Sequence, residues 1–573
     1  MRTEFGKFAA GIIFIALCAM AYSCGEDGKY PYCGAAKVIV DPESGELLSS
    51  PPEVELEEIP TISISDLPQD TSKRTLIRDG LWRLDQDLED LGPAEPSDKI
   101  RLLISMPMRN TERLDAWLEK VYDPEAEEYL NFISASCITQ MHSPKLESIA
   151  RLNAYLEKYG MTINRIASNR LMLLAEGTVK QSQEAFNFEV HRVIRVQRDD
   201  FAARSDLSVP DWLAGDIDAV LAMQDLPDNP QLPEDKYNAV NIPYAGRVSP
   251  LEVRKVYGVL DYAEKGYAGQ GQTIGVVVGS IARESDLESY FTSLGIERTG
   301  SFEWKYTDYP PTSFSVEAAI DIQLTGAIAP GADLIAYVAA DNNDFDLVWA
   351  TNETIGDGLV AIITYSFAHQ EVIAAWELQQ AYSRMAKLGA AQGITFFAAS
   401  GDSRSVDTPS NSPWVTAVGA SYLFMDENWE RVREIDAWFG GRGRSELFEK
   451  PDWQRGTDPE SLRRSTVDLS LHCMANMPSD SFYVFSRGEW MVSGGTSLAA
   501  PLLAGMTAIV NQVRGDKGRL GWINRMLYTN PELQKTFFDV TESWLPPEDA
   551  VKGWDAGTGW GAPDMSAWVD VIP

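Results

Sequence analysis

The sequence predicts a two-domain α/β protein, and three observations carry that expectation. At 573 residues the chain is too long for one ordinary core. Mostly apolar runs at Thr273–Val278, Asp333–Ala339, Leu359–Tyr365 and Ile394–Ala399 alternate with long helical stretches such as Ile373–Leu388. Buried strands separated by helices specify a parallel sheet. Before residue 225 the pattern differs, with shorter strands and helices interleaved. The two patterns are separated by a stretch that carries Pro227, Pro230, Pro233 and Pro243 among charged residues, which reads as an extended linker.

From the N-terminus, Arg2 and Lys7 precede an apolar run from Phe8 to Tyr22. That run is too short for a comfortable membrane span and reads as an export signal over residues 1–23. Ala21 and Ser23 lie just before Cys24, the pattern of a bacterial lipoprotein signal, so Cys24 is a candidate lipidated anchor and simple secretion is the other reading. Residues 24–98 are rich in Pro, Glu, Asp and Ser and are expected to form a loosely ordered acidic arm. Residues 99–224 form the first domain. Ile100–Met106 reads as a strand and Asn110 as the cap of a helix reaching about Tyr122. Ser143 opens a helix with Leu146, Ile149, Leu152, Leu156 and Tyr159 at helical spacing, and Gly160 ends it. Strands near Thr162–Ala167 and Leu171–Glu176, a short helix at Val179–Asn187 and a strand at Glu189–Val196 complete an antiparallel α+β domain, ferredoxin-like in outline. The linker spans 225–246 and the second domain 247–573.

A formal net charge of −35 excludes nucleic acid as a partner, because phosphate binding needs clustered Lys and Arg. It agrees with solubility, or with work in acid, where protonation relieves self-repulsion. Five cysteines give neither a disulfide framework nor a Cys/His metal spacing. Cys18 lies inside the signal, and Cys24 and Cys33 can pair only if Cys24 carries no lipid.

The chemistry is concentrated in three separated segments. Ser493–Pro501 presents Ser497 in a loop of small residues at the head of an apolar helix, where a nucleophile belongs. A serine hydroxyl needs a neighbouring base. The usual base is histidine, but none of His142, His191, His369 and His472 has a fitting context. The helical segment Val316–Ile328 places Glu317 and Asp321 four residues apart on one face, with apolar flanks and no Lys or Arg. Such an acid pair shares a proton and keeps one competent base at low pH. The run Ile394–Asp402 ends an apolar strand in Ser-Gly-Asp, which places Asp402 at the carboxyl end of a sheet strand, where α/β active sites collect. On spacing alone Asp402 reads first as the start of a turn.

This combination resembles the sedolisin family of serine-carboxyl peptidases over nearly all of residues 99–573. The resemblance implies a subtilisin-like parallel-sheet catalytic domain and a ferredoxin-like activation domain that keeps the precursor inert. It implies Ser497 as nucleophile, Glu317 as general base and Asp321 as the acid that orients it. Asp402 would be a protonated oxyanion donor. The segments Leu156–Gly160, Gly177-Thr178 and Ala185-Phe186 resemble landmarks of the family's activation peptide. Phe538–Thr541 with Val551–Asp555 resembles its calcium site. One Ca²⁺ would be held by the side chains of Asp539 and Asp555 and the carbonyls of Val540, Val551 and Gly553, an oxygen shell suited to a hard cation. Ala368, Ser403–Ser405, Gly419–Ser421 and Val551 depart from the family's usual residues, but none is a catalytic side chain.

The expected function is therefore an exported, acid-active endopeptidase or tripeptidyl-peptidase made as a zymogen and acting on polypeptides as a monomer. Cleavage is expected in the linker. A subtilisin-type triad is excluded, since Val278 is followed by Gly279-Ser280 rather than Asp and no histidine has the required setting. The rival from another class is a surface lipoprotein that keeps a peptidase fold for binding.

Overall fold

The computed structural model describes residues 33–83, 88–195, 198–225, 232–233, 248–437, 439–473, 482–543 and 550–573. The expected signal, Cys18, Cys24 and almost all of the linker lie outside the described residues.

In the first domain the strand Lys99–Ser105 pairs antiparallel with both Met172–Thr178 and Ala219–Asp225, and Met172–Thr178 pairs antiparallel with Thr162–Ile166. Numbered along the chain, these four strands lie in the order 4-1-3-2, the ferredoxin-like arrangement. Helices Leu146–Lys158 and Val179–Phe186 bury Ile149, Leu152, Leu156, Val179 and Phe186 against the sheet. Thr178 starts the second helix with a reciprocal capping box to Gln181. Two expectations change here. Asn110 does not cap its helix by a side-chain bond but adopts a left-handed conformation (φ 53°) and donates to Met141 O. The helix expected to open at Ser143 begins at Leu146, and Ser143 instead caps the end of a preceding helix, Ala135–His142.

The arm over 24–98 is not loosely ordered where it is described. Short extended pieces without internal periodicity find backbone partners on existing edges. Arg74–Leu76 pairs with Ser208–Pro210, Arg78–Asp79 runs parallel to Ala219-Val220, and Glu89–Pro93 joins the hairpin of Val190–Arg195 and Arg198–Ala203. Ile39-Val40 and Leu47–Ser49 form a small hairpin.

The second domain is built on a parallel sheet. Its order is Phe302–Tyr306, Asp333–Val338, Thr273–Val278, Ile362–Tyr365, Thr395–Ala399 and Thr416–Met425, continued by parallel Leu469–His472 and antiparallel Arg431–Asp436. The central strands are buried throughout, as near-continuous apolar runs require. Helices Val316–Ile328 and Thr496–Arg514 pack against each other and the sheet. Gly505 permits their close approach, because a Cβ there would lie 2.7 Å from Ile328 Cβ. Thr496–Arg514 is apolar and long enough to cross a membrane, but it is nearly all buried as the core helix of this domain.

The first domain docks on helices Asp344–Gly356 and Trp376–Gln392. Arg101, fully buried, lies against Asp308 and 3.4 Å from Glu176, with its guanidinium over the rings of Tyr309 and Phe345. Arg384–Asp218 (2.7 Å), Lys387–Asp115 and Arg525–Glu119 (2.8 Å) add charge pairs across the junction. Tyr122 donates to Ala390 O at 2.7 Å and accepts from Trp522 N–H at 2.8 Å.

Candidate active site

The sheet and the two central helices bring the three sequence segments together. Ser315 caps the helix Val316–Ile328 by accepting from Ala318 N–H, so Glu317 sits in its first turn and Asp321 one turn on. Ser366 and Asp402 follow the adjacent parallel strands Ile362–Tyr365 and Thr395–Ala399 at their carboxyl ends, the expected place for a site in an α/β sheet. Gly495 turns the chain into the helix of Ser497 with φ +111°, and a Cβ there would come within 2.5 Å of Asp402 Oδ2. Only glycine lets the nucleophile loop lie against that carboxyl.

Asp321 is fully buried. Its Oδ1 accepts from Ser366 Oγ at 2.5 Å, and its Oδ2 has no hydrogen-bond partner. Glu317 Oε1 is likewise buried and unpartnered. Burial is the main cause that lifts the Glu317 carboxyl to about 7; the Ser497 hydroxyl pulls it down and the charge of Asp402 adds to the rise. Burial, then the charge of Glu317, holds Asp321 well above the usual carboxylate range, opposed by the Ser366 hydroxyl. Among the described residues neither carboxyl forms a salt bridge, and two such buried acids cannot both ionise readily, so the pair retains a proton and titrates as a unit.

The Ser497 hydroxyl donates to Ser366 O at 3.3 Å. Pro501 lacks the N–H that would close a helical bond onto Ser497 O, and Ser366 Oγ approaches that carbonyl at 3.5 Å. Asp402 Oδ1 accepts from Thr496 N–H (2.8 Å) and Thr496 Oγ–H (2.9 Å), and Gly401 N–H donates to Thr496 Oγ1 (3.1 Å). Asp402 thus faces the head of the nucleophile helix rather than serving only as a turn residue.

Sequence reasoning missed Ser366 and Thr496. Ser366 directly follows an apolar strand that neighbours Thr395–Ala399, so the strand-end rule that singled out Asp402 also points to it. His369 pairs with Asp344, and His472 accepts Leu423 N–H through Nδ1 at 3.2 Å while its ring stacks on Tyr422. Both have structural roles.

The C-terminal loop brings the five expected calcium ligands into one region. Asp539 Oδ2 accepts from Gly553 N–H at 2.9 Å, and its Oδ1 is buried without a partner. Asp555 accepts N–H bonds from Val551 (3.1 Å), Gly557 (2.8 Å) and Thr558 (2.8 Å), and burial pushes its carboxyl up to about 7. The orphaned oxygen of Asp539 and the buried carboxyl of Asp555, both bonded to the backbone of the same loop, are oxygen donors of the kind a hard cation takes. Among the described residues no group of three or more His, Cys, Asp or Glu side chains could hold a metal, so such a site depends on main-chain oxygens.

The family model for the pro-kumamolisin activation domain matches residues 86–226, and that for the subtilase family matches residues 316–561. The chain joins a pro-kumamolisin activation domain to a subtilase-family peptidase domain, and its homologues include kumamolisin, sedolisin and tripeptidyl-peptidase 1. It is 27% identical to kumamolisin of Bacillus sp. (strain MN-32), covering 86% of this chain and 94% of that protein. It is 24% identical to sedolisin of Pseudomonas sp. (strain 101), covering 81% and 86%, and 23% identical to tripeptidyl-peptidase 1 of Homo sapiens, covering 84% and 93%. The solved Pseudomonas sedolisin in complex with pseudo-iodotyrostatin matches with a TM-score of 0.51 at 24% identity, over 57% of this chain and 98% of that one. That likeness concerns the fold, a subtilisin-like catalytic domain. The chain is a serine-type peptidase made as a zymogen, with its own activation domain as intramolecular inhibitor and polypeptides as substrate. The non-catalytic lipoprotein reading is thereby set aside.

Proposed function

We propose that this zymogen works in acid through Ser497, Glu317, Asp321 and Asp402. The observation that carries the reading is a nucleophile at a helix head beside a buried acid pair, with a third carboxyl against the same helix end. The Ser497 hydroxyl turns from Ser366 O to Glu317, which takes its proton as the oxygen attacks the peptide carbonyl. Asp321 holds and polarises Glu317. Asp402 donates its proton in a hydrogen bond to the oxyanion, which an ionised carboxylate cannot do. The leaving amine takes the proton from Glu317, and water releases the acyl-enzyme by the same route in reverse.

The scheme needs a proton on the oxyanion donor and an ionised base at the same time. In the closed precursor Glu317 titrates near 7, so below that pH it is mostly protonated and a poor base. Opening the site to water relieves the larger cause, burial, and restores a base in acid. The rate should therefore rise from neutral towards about pH 4 and fall again below the titration of the acid pair.

We further propose one Ca²⁺ held by Asp539, Asp555 and the carbonyls of Val540, Val551 and Gly553. Its contribution is to the stability of the loop. Export, with or without lipid on Cys24, monomeric action and cleavage between about Asp225 and Val248 complete the proposal. The test is cleavage of a peptide library by the processed protein across pH. Products should appear in acid and vanish in Ser497→Ala; a flat pH profile, or activity that survives in Ser497→Ala, would overturn the assignment.

A further inference from the structure

Residues 33–54 of the N-terminal arm form a strap that makes a closed circuit between the two domains. Both of its ends are pinned near the same helix of the activation domain, Ala135–His142. At one end Cys33 N–H approaches Cys137 Sγ at 3.3 Å, and Ala36 exchanges backbone hydrogen bonds with Phe132 (3.0 and 2.9 Å). At the other, Ser134 Oγ donates to Pro52 O (2.8 Å), Val54 N–H donates to Ser136 Oγ (2.8 Å), and Ser136 bonds to Glu53. A Cβ on Gly34 would lie 2.7 Å from Pro52 Cγ, so the two ends touch.

Between these anchors the arm lies on the catalytic domain. Arg519 N–H donates to Val38 O (3.2 Å) and Gln512 Nε2 donates to Pro42 O (2.7 Å). Gly271 meets Gly45 O and Val40 Cγ1 so closely that a Cβ there would be 2.4 Å from each, and Val40 is buried. The tip is pre-shaped. Asp41 Oδ1 accepts from Ser44 N–H (2.7 Å) and Ser44 Oγ–H (2.9 Å), and the turn closes with Asp41 N–H to Glu46 O at 2.8 Å. A preformed hairpin gives up little entropy when it docks.

The contacts fall at the end of the helix Thr496–Arg514 opposite the nucleophile. Gln512 lies 15 residues after Ser497 on that helix, which separates the strap from the nucleophile by about 22 Å. The strap therefore cannot fill the substrate cleft, and cutting the linker between Asp225 and Val248 does not sever it.

We propose that the face formed by Gly271, Gln512 and Arg519 is a binding site for the chain's own residues 37–49, and that it retains the activation domain after the linker is cut. Linker cleavage and release of the inhibitor are then separate events.

The test uses the full chain carrying Ser497→Ala, with a site-specific protease sequence inserted between Asp225 and Val248. After that cut at neutral pH, the two parts should elute as one species and separate slowly. Deleting residues 37–49 should speed release about tenfold or more. Should the deletion variant not accumulate as folded protein, Val40→Asp is read in the same assay and should also speed release. Equal release rates in the parent and the variants would overturn the proposal, as would immediate separation of the cut parent. Because the nucleophile is absent throughout, neither outcome depends on the catalytic assignment.

Discussion

Replacing Glu317 by glutamine separates the catalytic reading from a structural one, because the two expected effects have opposite signs. The amide keeps the shape of the side chain but cannot accept the Ser497 proton. Loss of a general base costs about 100- to 10,000-fold in rate, or about 3–5.5 kcal/mol of transition-state stabilisation. Stability should move the other way. Burial lifts the Glu317 carboxyl from 4.5 to about 7 in the closed precursor, a rise equivalent to about 3 kcal/mol. A carboxyl with a raised folded pKa contributes its full stability below 4.5, and that stability is lost as pH rises through about 7. Glutamine does not titrate, so it escapes the loss. In a Ser497→Ala background, which prevents self-cleavage, precursors with and without Glu317→Gln should melt together near pH 4. Their melting temperatures should diverge by a few degrees towards pH 7, with the glutamine variant higher. Peptide hydrolysis by the processed forms that retain Ser497 supplies the kinetic half. A rate loss below about tenfold, or parallel melting curves at every pH, would refute the argument that Glu317 is a buried base held at a stability cost.

Two further outcomes are expected. Chelation should lower the melting temperature of the catalytic domain, since a ligand bound only to the folded state at 100 times its Kd adds about 2.7 kcal/mol. Asp539→Asn should abolish that sensitivity, whereas unchanged melting with and without chelator in the parent would remove the calcium proposal. Arg101→Met should weaken docking of the activation domain, because it removes a buried counter-charge from Asp308 and Asp346 while Arg165 still faces Asp308 at 2.9 Å, a loss of about 1.5–3 kcal/mol at neutral pH. Premature inhibitor release near pH 7 would be the readout, and retention equal to the parent would contradict the interface reading.

What the sequence made legible follows from how local each signal is. The helix Val316–Ile328 and the strand Thr273–Val278 match their expected bounds because their patterns are continuous and their caps adjacent. Glu317 with Asp321, and Ser497 in its small-residue loop, are likewise contiguous signals, and the helix-face argument needs only residue spacing. Ser366 escaped because its meaning lies in partners 45 residues before it and 131 after it, Asp321 and Ser497. The arm was misread for a related reason. Its Pro-rich, acidic composition shows that it cannot build a core of its own, but composition does not show whether another domain supplies edges and a surface. Val40 and Val38 look unremarkable in sequence and are held by Gly271 and Arg519, distant along the chain. The catalytic assignment could be drawn from short motifs, whereas the features that restrain the precursor (Arg101 under the docked domain and the strap behind the nucleophile helix) exist only as contacts between distant segments. Restraint is therefore where a structure of this chain adds most to its sequence.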